Sequence, residues 1–560
     1  MNRRKNMTNN KVTVFTAKNV LTMDPGRPEV DAVAVLDGKV LSTGTIDSMS
    51  PWLAQYDWEV DNTFANKVIL PGFIEPHSHC WMSSGFMSLH FIGPLTWPGR
   101  NGLNKPLKNC DEILDFLRKA DQDEKDPTAP LIAWGYDEAK QGGGVLERDT
   151  LDKISSTRPI YLISWAPHLV YMNSPALELS NIPQHTNDPH IKFYEDGRLK
   201  GIVTEPEACS HALIPIMQTI SEASGVSGLK FMADIANRAG VTTIADLMFG
   251  VLDFDVELAD HQAATQDSEF PVRMRLTPYA AALNAKFGDA GPSFMDTLKK
   301  NETDDLFFGG IKFMSDGSFP LMGSLVGFPG FLDGTNGQPG DSELAKLMKP
   351  YWDAGLQLHC HANGDLAIDL TLDALAELQA KHPRFDHRFT VEHYAMSNQM
   401  QARRLKNLGG VASVNNYFSH YRSLLHRNHA YGPDRSDTVG RLATLEREGV
   451  TFALHSDYPQ VVVPMLPLTA VYAAVNRVAE DGETVVAPDE CISVERALRA
   501  VTIDAAYILG MENKLGSIEQ GKFADFTVLD QNPLDVESKT LKDIPIWGTV
   551  KGGVKFEAKD

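Results

Sequence analysis

The stretch VILPGFIEPHSH occupies residues 68–79 and joins an apolar, β-type run to two closely spaced histidines. Alternate side chains of a strand point to the same face, so His77 and His79 can reach one point in space. Imidazole is the commonest metal ligand in proteins. The stretch therefore predicts a metal centre where a buried strand gives way to a loop. The alternative for an isolated His-x-His is a hydrogen-bonded pair in a turn.

The bulk composition narrows the class of protein. The chain has 560 residues, of which 43% are hydrophobic, which is enough for a large core and more than one domain. Asp and Glu (73) outnumber Lys and Arg (52), and the formal net charge is −21. This charge argues against binding to nucleic acid or to anionic membranes. Five scattered cysteines predict no disulfide framework. Without an apolar signal region or membrane span, we expect a cytoplasmic protein.

After residue 68 the chain alternates β-type runs with helix-like stretches. Eight apolar runs fit strands, at residues 68–74, 240–247, 272–277, 309–314, 356–361, 388–393, 410–414 and 450–455. Eight strands alternating with helices predict an α/β fold of the (β/α)8 TIM-barrel type. The first two runs are separated by about 160 residues, too many for a structureless loop in a compact protein. Residues 80–239 are therefore predicted to form an inserted domain.

Both ends of the chain are β-rich. The apolar run 32–36 closes on Asp37-Gly38, and residues 547–556 form a second hairpin pattern around Gly552-Gly553. We predict that residues 1–68 and 511–560 form one small composite β-sandwich. The barrel itself is then predicted to comprise residues 69–79 and 240–510.

Polar residues fall at the carboxyl ends of the predicted barrel strands, where active sites of (β/α)8 barrels lie. They are His77, His79, Lys312, His361, His393 and Asp457. Each alone has an ordinary interpretation, such as a lysine that reaches solvent, a core histidine or an aspartate that caps a helix. Six of them at one end of the predicted strands instead indicate a single site. His359, two residues before His361, is an alternative for the same role.

These motifs resemble the metal-dependent amidohydrolase superfamily, in particular the branch of YtcJ-like proteins and N-substituted formamide deformylase (amidohydrolase family 3). The resemblance extends over nearly the whole chain. It rests on residues 71–79, 312–318, 361–365, 392–393 and 456–459, with further matches at 168–177, 196–205 and 516–525.

The resemblance implies a binuclear centre with two divalent metal ions per subunit, zinc being the expected metal. His77, His79 and Asp457 would bind the more buried ion. His361 and His393 would bind the second. Lys312 would be N6-carboxylated by CO2 and would bridge both ions.

The resemblance also implies an enzyme that cleaves the amide-like C–N bond of a small organic substrate, outside peptide bonds. Asp457 would serve as general base and general acid. The alternatives are an esterase or lactonase, a cyclic-imide hydrolase, or a non-catalytic regulatory barrel. His168, Asn173 and Asp316 are predicted to contact substrate; for the first two, a structural turn with Asn173 as a helix cap is equally compatible. A homodimer is the expected assembly.

Three residues depart from the pattern of the resembled branch. Glu75 stands where Asp is usual, Asn363 where Ile is more familiar, and His455 where Gly is usual. None is expected to touch a predicted ligand. We expect Glu75 to support the ligands, Asn363 to add a polar group near the metal and His455 to narrow the pocket. The resemblance favours His361 over His359 as the ligand.

Overall fold

The computed structural model describes residues 11–559 apart from 100–101, 127, 166–168, 181, 184, 205, 338–342 and 460–464, and apart from the side chains of 83, 206 and 207. The chain divides into two compact units. The first comprises the described parts of 1–78, 233–456 and 465–560, and the second comprises those of 79–232 and 457–464. Among the described residues, no helix combines the length and apolar character needed to cross a membrane.

The core of the first unit consists of nine parallel strands in two sheets. The first sheet contains β1 (Phe73–Ser78), β2 (Val241–Phe249), β3 (Arg273–Pro278) and β4 (Leu306–Phe308). The second contains β5 (Ile311–Met314), β6 (Leu358–Ala362), β7 (Thr390–His393), β8 (Val411–Val414) and β9 (Phe452–Leu454). Each of the eight predicted runs contains part of this set; the fourth, 309–314, contains β5, and β4 lies just before it, separated from β5 by Gly309-Gly310. The prediction of an α/β fold with parallel strands is confirmed.

The sequence predicts a closed barrel, whereas the described residues form two separate sheets. A single parallel bridge, Tyr279 with Lys312, joins them on one side. On the other side, no ladder joins β9 to β1 among the described residues. The backbone donors there have other partners: the Ile74 N–H donates to Val501 O at 2.9 Å, and the Ser456 N–H donates to the Glu75 carboxylate. These two backbone donors are thus used elsewhere.

Helices connect the strands of this core. They are Gly225–Arg238, Phe254–Thr265, Ala280–Phe287, Gly291–Lys299, Leu344–Asp353, Asp365–Lys381, Gln399–Asn407, Tyr417–Tyr421, Ser423–His429, Pro433–Ser436, Leu442–Arg447, Pro467–Asn476, Val494–Ala500 and Ile503–Ile508. The predicted helices at 364–381 and 399–408 are confirmed to within one residue at each end. Asn398 begins the second of these by accepting the Gln401 N–H, as expected of an N-cap asparagine.

One sheet of the first unit combines strands from both ends of the chain. Its strands are Lys11–Leu21, Glu29–Leu36, Lys39–Gly44, Asp57–Asp61, Val68–Pro71, Phe526–Leu529, Ile546–Lys551 and Val554–Glu557, and Ile46–Leu53 is a helix beside them. Both predicted hairpins are confirmed. Asp37 and Gly38 have φ angles of 51° and 76°, which such two-residue turns require. The proposed sandwich boundaries, 1–68 and 511–560, stay a prediction.

The predicted strand 68–74 is two strands in different sheets. Val68–Pro71 pairs antiparallel with Phe526–Leu529, whereas β1 begins at Phe73 and pairs with β2. Gly72 lies at the change of sheet. A Cβ atom at this position would lie 1.9 Å from the Thr242 hydroxyl oxygen, so only glycine fits.

The second unit has its own mixed sheet. In spatial order the strands are Ile191–Phe193, Leu199–Thr204, Leu169–Met172, Ile160–Ser164, Leu131–Tyr136 and His90–Phe91, and Trp97–Gly99 pairs separately with Gly102–Asn104. Its helices are Cys80–Phe86, Cys110–Asp123, Arg148–Leu151, Ser174–Leu179, Pro206–Leu213 and Met217–Ala223. The strands predicted at 130–136 and 159–164 are confirmed. The predicted range of the insertion, 80–239, stays a prediction.

Candidate metal centre

Four of the predicted ligands converge in the first unit, where each comes from a different core strand. His77 lies in β1, Lys312 in β5, His361 in β6 and His393 in β7, and none is more than 8% exposed. Lys312 Nζ lies 3.2 Å from His77 Nε2. The ring centroid of His393 lies 4.7 Å from that of His77 and 4.5 Å from that of His361. The strands thus bring these side chains into one buried cluster.

Glu392 orients two histidines at once. Its carboxylate lies 2.6 Å from His77 Nδ1 and 2.7 Å from His359 Nδ1. An ionised carboxylate only accepts hydrogen bonds, so both Nδ1 atoms carry protons. This leaves His77 Nε2, the nitrogen facing Lys312, with the lone pair that a metal ligand needs. His359 faces Glu392 and so lies where a residue that supports the ligands would lie.

The charge state of Glu392 follows from its partners. Burial by itself would raise the pKa of this carboxyl, but the hydrogen bond from His359 and the nearby charges of His359 and Lys312 lower it to about 2. The carboxylate is therefore ionised at neutral pH. Sequence reasoning missed this residue as an orienting group, although Glu392-His393 belongs to the motif; its acidic character in a buried strand was the available signal.

His361 is held by the loop that follows β5. Its Nε2 lies 3.2 Å from Gly317 O, 3.4 Å from Asp316 Oδ1 and 2.9 Å from the Asn363 side-chain amide. These contacts hold the His361 ring in one orientation. Asn363, one of the departures from the resembled branch, thus contacts a predicted ligand directly, as His455 does, so the expectation that no departure touches a ligand is wrong.

Asp316 organises the backbone around this histidine. Its two oxygens accept the N–H groups of Asn363 at 3.0 Å, Gly364 at 2.8 Å and Leu325 at 3.0 Å. Burial raises the pKa of the Asp316 carboxyl to about 7, although these backbone hydrogen bonds act in the opposite direction. The carboxylate predicted to contact substrate is therefore engaged with the loops that carry His361.

A third imidazole joins His77 and His393. His455 Nε2 lies 3.1 Å from His393 Nδ1, and its ring centroid lies 4.6 Å from that of His77. On its other side, His455 Nδ1 lies 2.7 Å from the Ser413 hydroxyl. The sequence marked His455 only as a residue that narrows the pocket; that it contacts a predicted ligand depends on the pairing of β8 with β9, for which the motif alone gives no signal.

The other two predicted ligands, His79 and Asp457, contact each other in the second unit. His79 Nε2 lies 2.9 Å from Asp457 Oδ1, and the residues are 4% and 8% exposed. The His79 backbone N–H donates to Tyr458 O at 3.1 Å. A histidine and an aspartate held in this way form a buried pair that can share a proton or a metal.

Three residues of these clusters have left-handed backbones. The φ angles of His393, Tyr394 and Asp457 are 70°, 45° and 60°. Non-glycine residues adopt such angles uncommonly, and such strain clusters at functional sites. The backbone thus aims His393 and Asp457 at some cost in stability, which indicates a function for both.

Asn173, which the sequence predicts to contact substrate, bonds to backbone groups of its own unit. Asn173 Oδ1 accepts the N–H groups of Ala176 and Ile160, and Nδ2 donates to Ser155 O and Arg158 O. The side chain caps the helix Ser174–Leu179, as the structural alternative predicts. Its amide groups are all used within the unit. His168 lies outside the described residues.

The donor set of the first unit fits a divalent transition metal. His77, His393 and His455 each offer a nitrogen, and these atoms lie within 4.8 Å of one another. Imidazole nitrogens suit zinc, iron, nickel and copper, with carboxylate oxygen as a common companion. The hydrogen bond between His77 Nδ1 and the Glu392 carboxylate is of the kind that orients a histidine ligand toward a metal.

Comparison with known proteins gives consistent results. The profile of the amidohydrolase family matches residues 65–555. Protein LONG AFTER FAR-RED 3 of Arabidopsis thaliana is 27% identical over 96% of this chain and 90% of its own length. N-substituted formamide deformylase of Arthrobacter pascens is 25% identical over 98% of each chain.

A solved structure extends the comparison to the fold. It is that of an uncharacterized metal-dependent hydrolase from Pyrococcus horikoshii OT3, with a TM-score of 0.70 and 20% identity. The match covers 94% of this chain and 99% of that one. At this identity the similarity shows that the two proteins share a fold.

Proposed function

This chain belongs to the amidohydrolase family, as its motifs predicted, and on that basis we propose that it is a metal-dependent hydrolase that cleaves the C–N bond of a small amide-like molecule. The observation that carries the proposal is the buried cluster of His77, His361, His393 and Lys312. These side chains come from four parallel strands and are buried. They offer nitrogen donors that are held more rigidly than those of a surface site.

Lys312 is the most informative member of the cluster. It is 1% exposed and its Nζ lies 3.2 Å from the Nε2 of His77. Burial favours the neutral amine over the ammonium, and a neutral amine reacts with CO2. The resulting carbamate would turn a cation among imidazoles into an anionic oxygen ligand. The burial of Lys312 thus supports its N6-carboxylation in the metal-loaded protein.

We propose the ligand sets that the resemblance to this family implies. His361 and His393 would bind one divalent ion, His77 and His79 with Asp457 a second, and the carbamate of Lys312 both. When bound, the metal supplies Lewis acidity and makes hydroxide available at neutral pH. Zinc fits the nitrogen and oxygen donors.

The chain's own residues handle the proton. The Asp457 carboxylate would accept a proton from the attacking water and return it to the leaving nitrogen. Its hydrogen bond with His79 at 2.9 Å and its left-handed backbone, with φ of 60°, hold the carboxylate in one orientation. Burial of His77 and Lys312 keeps bulk water from the cluster, which strengthens the electrostatic interactions inside it.

Metal analysis and turnover of the full-length protein test the proposal. Metal per chain is measured before and after treatment with a chelator. Hydrolysis is then followed on parallel panels of N-substituted amides, cyclic imides, esters and lactones. We expect turnover of at least one amide-like compound, loss of turnover with the metal, and recovery on addition of zinc.

The variant Asp457→Asn separates chemistry from binding. It retains the shape of the side chain but removes the base, and we expect turnover to fall by about 100-fold or more. Asp373→Asn, on an exposed helix face, is the matched control and should keep full activity. Turnover that survives both the chelator and Asp457→Asn would contradict the proposal. Hydrolysis of esters alone would contradict the assignment of the cleaved bond as a C–N bond.

A further inference from the structure

A chain of three buried side chains ends at one of the proposed metal ligands. The Ser413 hydroxyl lies 2.7 Å from His455 Nδ1, and His455 Nε2 lies 3.1 Å from His393 Nδ1. The three residues are 0%, 1% and 3% exposed. All three come from neighbouring strands or strand ends, because β8 pairs with both β7 and β9.

We propose that His455 is a positioning residue that fixes the ring and the tautomer of His393 for metal binding. This inference rests on the proposed function. A neutral imidazole has one N–H donor and one acceptor nitrogen. If the Ser413 oxygen accepts from His455 Nδ1, then His455 Nε2 accepts from His393 Nδ1. In that order the lone pair of His393 lies on Nε2, where it can bind a metal.

The direction of these hydrogen bonds matters, because the distances equally allow the reverse order of donors and acceptors. If the Ser413 hydroxyl donated instead, the proton of His393 would move to Nε2 and block that nitrogen. His77 differs, since its Nδ1 partner is the Glu392 carboxylate, which only accepts. The Nδ1 partner of His393 is the His455 imidazole, which can donate or accept. The position of the His393 proton therefore depends on the bond between His455 and Ser413.

The competing assignment is that His455 is itself a ligand. Its ligand atom lies within 4.8 Å of those of His77 and His393, which is close enough for a shared ion. The two assignments differ in what Ser413 does. A positioning chain needs the hydroxyl to hold the proton order, whereas direct ligation by His455 Nε2 would remove the acceptor for His393 Nδ1–H.

The tautomer is measured on full-length protein labelled with 15N-histidine and treated with a chelator. In the wild type, we expect the His393 proton on Nδ1. Ser413→Ala should produce a mixture of tautomers or the Nε2–H form. His387→Gln is the matched control, because His387 is buried and its two ring nitrogens bond to the backbone of Leu408 and Phe389.

Metal affinity, measured with zinc alone by competition with a chromophoric chelator, gives the second measurement. We expect His455→Leu to weaken binding about 10–100-fold, the typical effect of removing a group that orients a ligand. His455→Gln should recover part of this loss, since its amide oxygen can accept from His393 Nδ1–H. Ser413→Ala should weaken binding in the same direction, and His387→Gln should leave it unchanged.

Two results would overturn the proposal. One is an unchanged tautomer and unchanged zinc affinity in Ser413→Ala. The other is the loss of one imidazole from the zinc coordination shell in His455→Leu, seen by X-ray absorption, which would make His455 a ligand. A wild-type protein that binds no divalent metal would instead refute the proposed function. The tautomer of His393 in the metal-free protein still tests the hydrogen-bond chain in that case, so the two failures are distinguishable.

Discussion

The carboxylate of Glu75 accepts the backbone N–H of Ser456 with its two oxygens, at 3.1 and 3.2 Å. Glu75 lies in β1, and Ser456 follows β9, the strand that would complete a barrel. One oxygen also lies 3.3 Å from the backbone nitrogen of His77. A single buried side chain therefore connects the two strand ends that bear His77 and, one residue after Ser456, Asp457.

Replacement of Glu75 by Gln tests this connection. One accepting oxygen becomes a donor that faces a backbone N–H, which leaves a buried group unsatisfied. We expect a loss of about 1–3 kcal/mol in the free energy of unfolding. Because His77 and the strand end before Asp457 lose a common anchor, we also expect weaker zinc binding. Urea unfolding and zinc competition measure the two effects.

Glu257→Gln is the matched control for this variant. The Glu257 carboxylate is also buried and accepts the backbone N–H groups of Gly250, Leu252 and Asp253, far along the chain from the proposed ligands. The control should lose stability and keep its zinc affinity. Equal zinc affinities in the two variants would contradict the anchoring role of Glu75.

The convergence of His77, Lys312, His361 and His393 could be predicted from the sequence. Each lies near the carboxyl end of an apolar β-type run, and parallel strands joined by helices end at a common edge. Short segments of the sequence are enough to recognise each strand, each helix and the residues at the strand ends. The position of a side chain along its own strand was therefore enough.

The contacts between these strands could not be predicted in the same way. Glu75, Glu392 and His455 act across strands, through side-chain orientations that depend on register and packing. The same reason applies to the closure of the barrel, which the described residues do not show. It depends on whether the Ile74 and Ser456 N–H groups bond to a neighbouring strand or to Val501 and Glu75. A single sequence gives no signal for such choices.

The pH dependence of stability provides a test of Glu392. Its pKa of about 2 in the folded protein lies below the ordinary 4.5, so the ionised carboxylate stabilises the fold above about pH 4.5. This contribution is lost as the pH falls from about 4.5 toward 2. It amounts to at most about 3 kcal/mol, from the difference in pKa. In urea unfolding of the chelator-treated protein, the free energy of unfolding should fall steeply as the pH is lowered between these values. This fall is the acid limb, and Glu392→Gln should make it less steep.

Glu257 should behave in the opposite sense. Burial raises its pKa to about 7, although backbone hydrogen bonds from Gly250, Leu252 and Asp253 act against this shift. The ionised carboxylate then costs stability, so its contribution to stability falls as the pH rises from about 4.5 to about 7. Glu257→Gln should remove that decline and leave the acid limb unchanged. An acid limb that both variants flatten equally would contradict the assignment of that limb to Glu392.

Lys312→Met tests the proposed carbamate most directly. Methionine keeps the apolar stem and most of the volume but cannot react with CO2, so a bridging oxygen ligand would be lost. We expect the variant to hold less than one zinc per chain and to lose turnover, with both partly restored by formate or acetate, whose carboxylate supplies the same donor atoms. Lys551→Met is the matched control, since Lys551 is also buried and donates to Phe270 O and Asp305. That variant should keep its zinc. Full zinc content and turnover in Lys312→Met would show that the lysine serves only to fill the space beside His77.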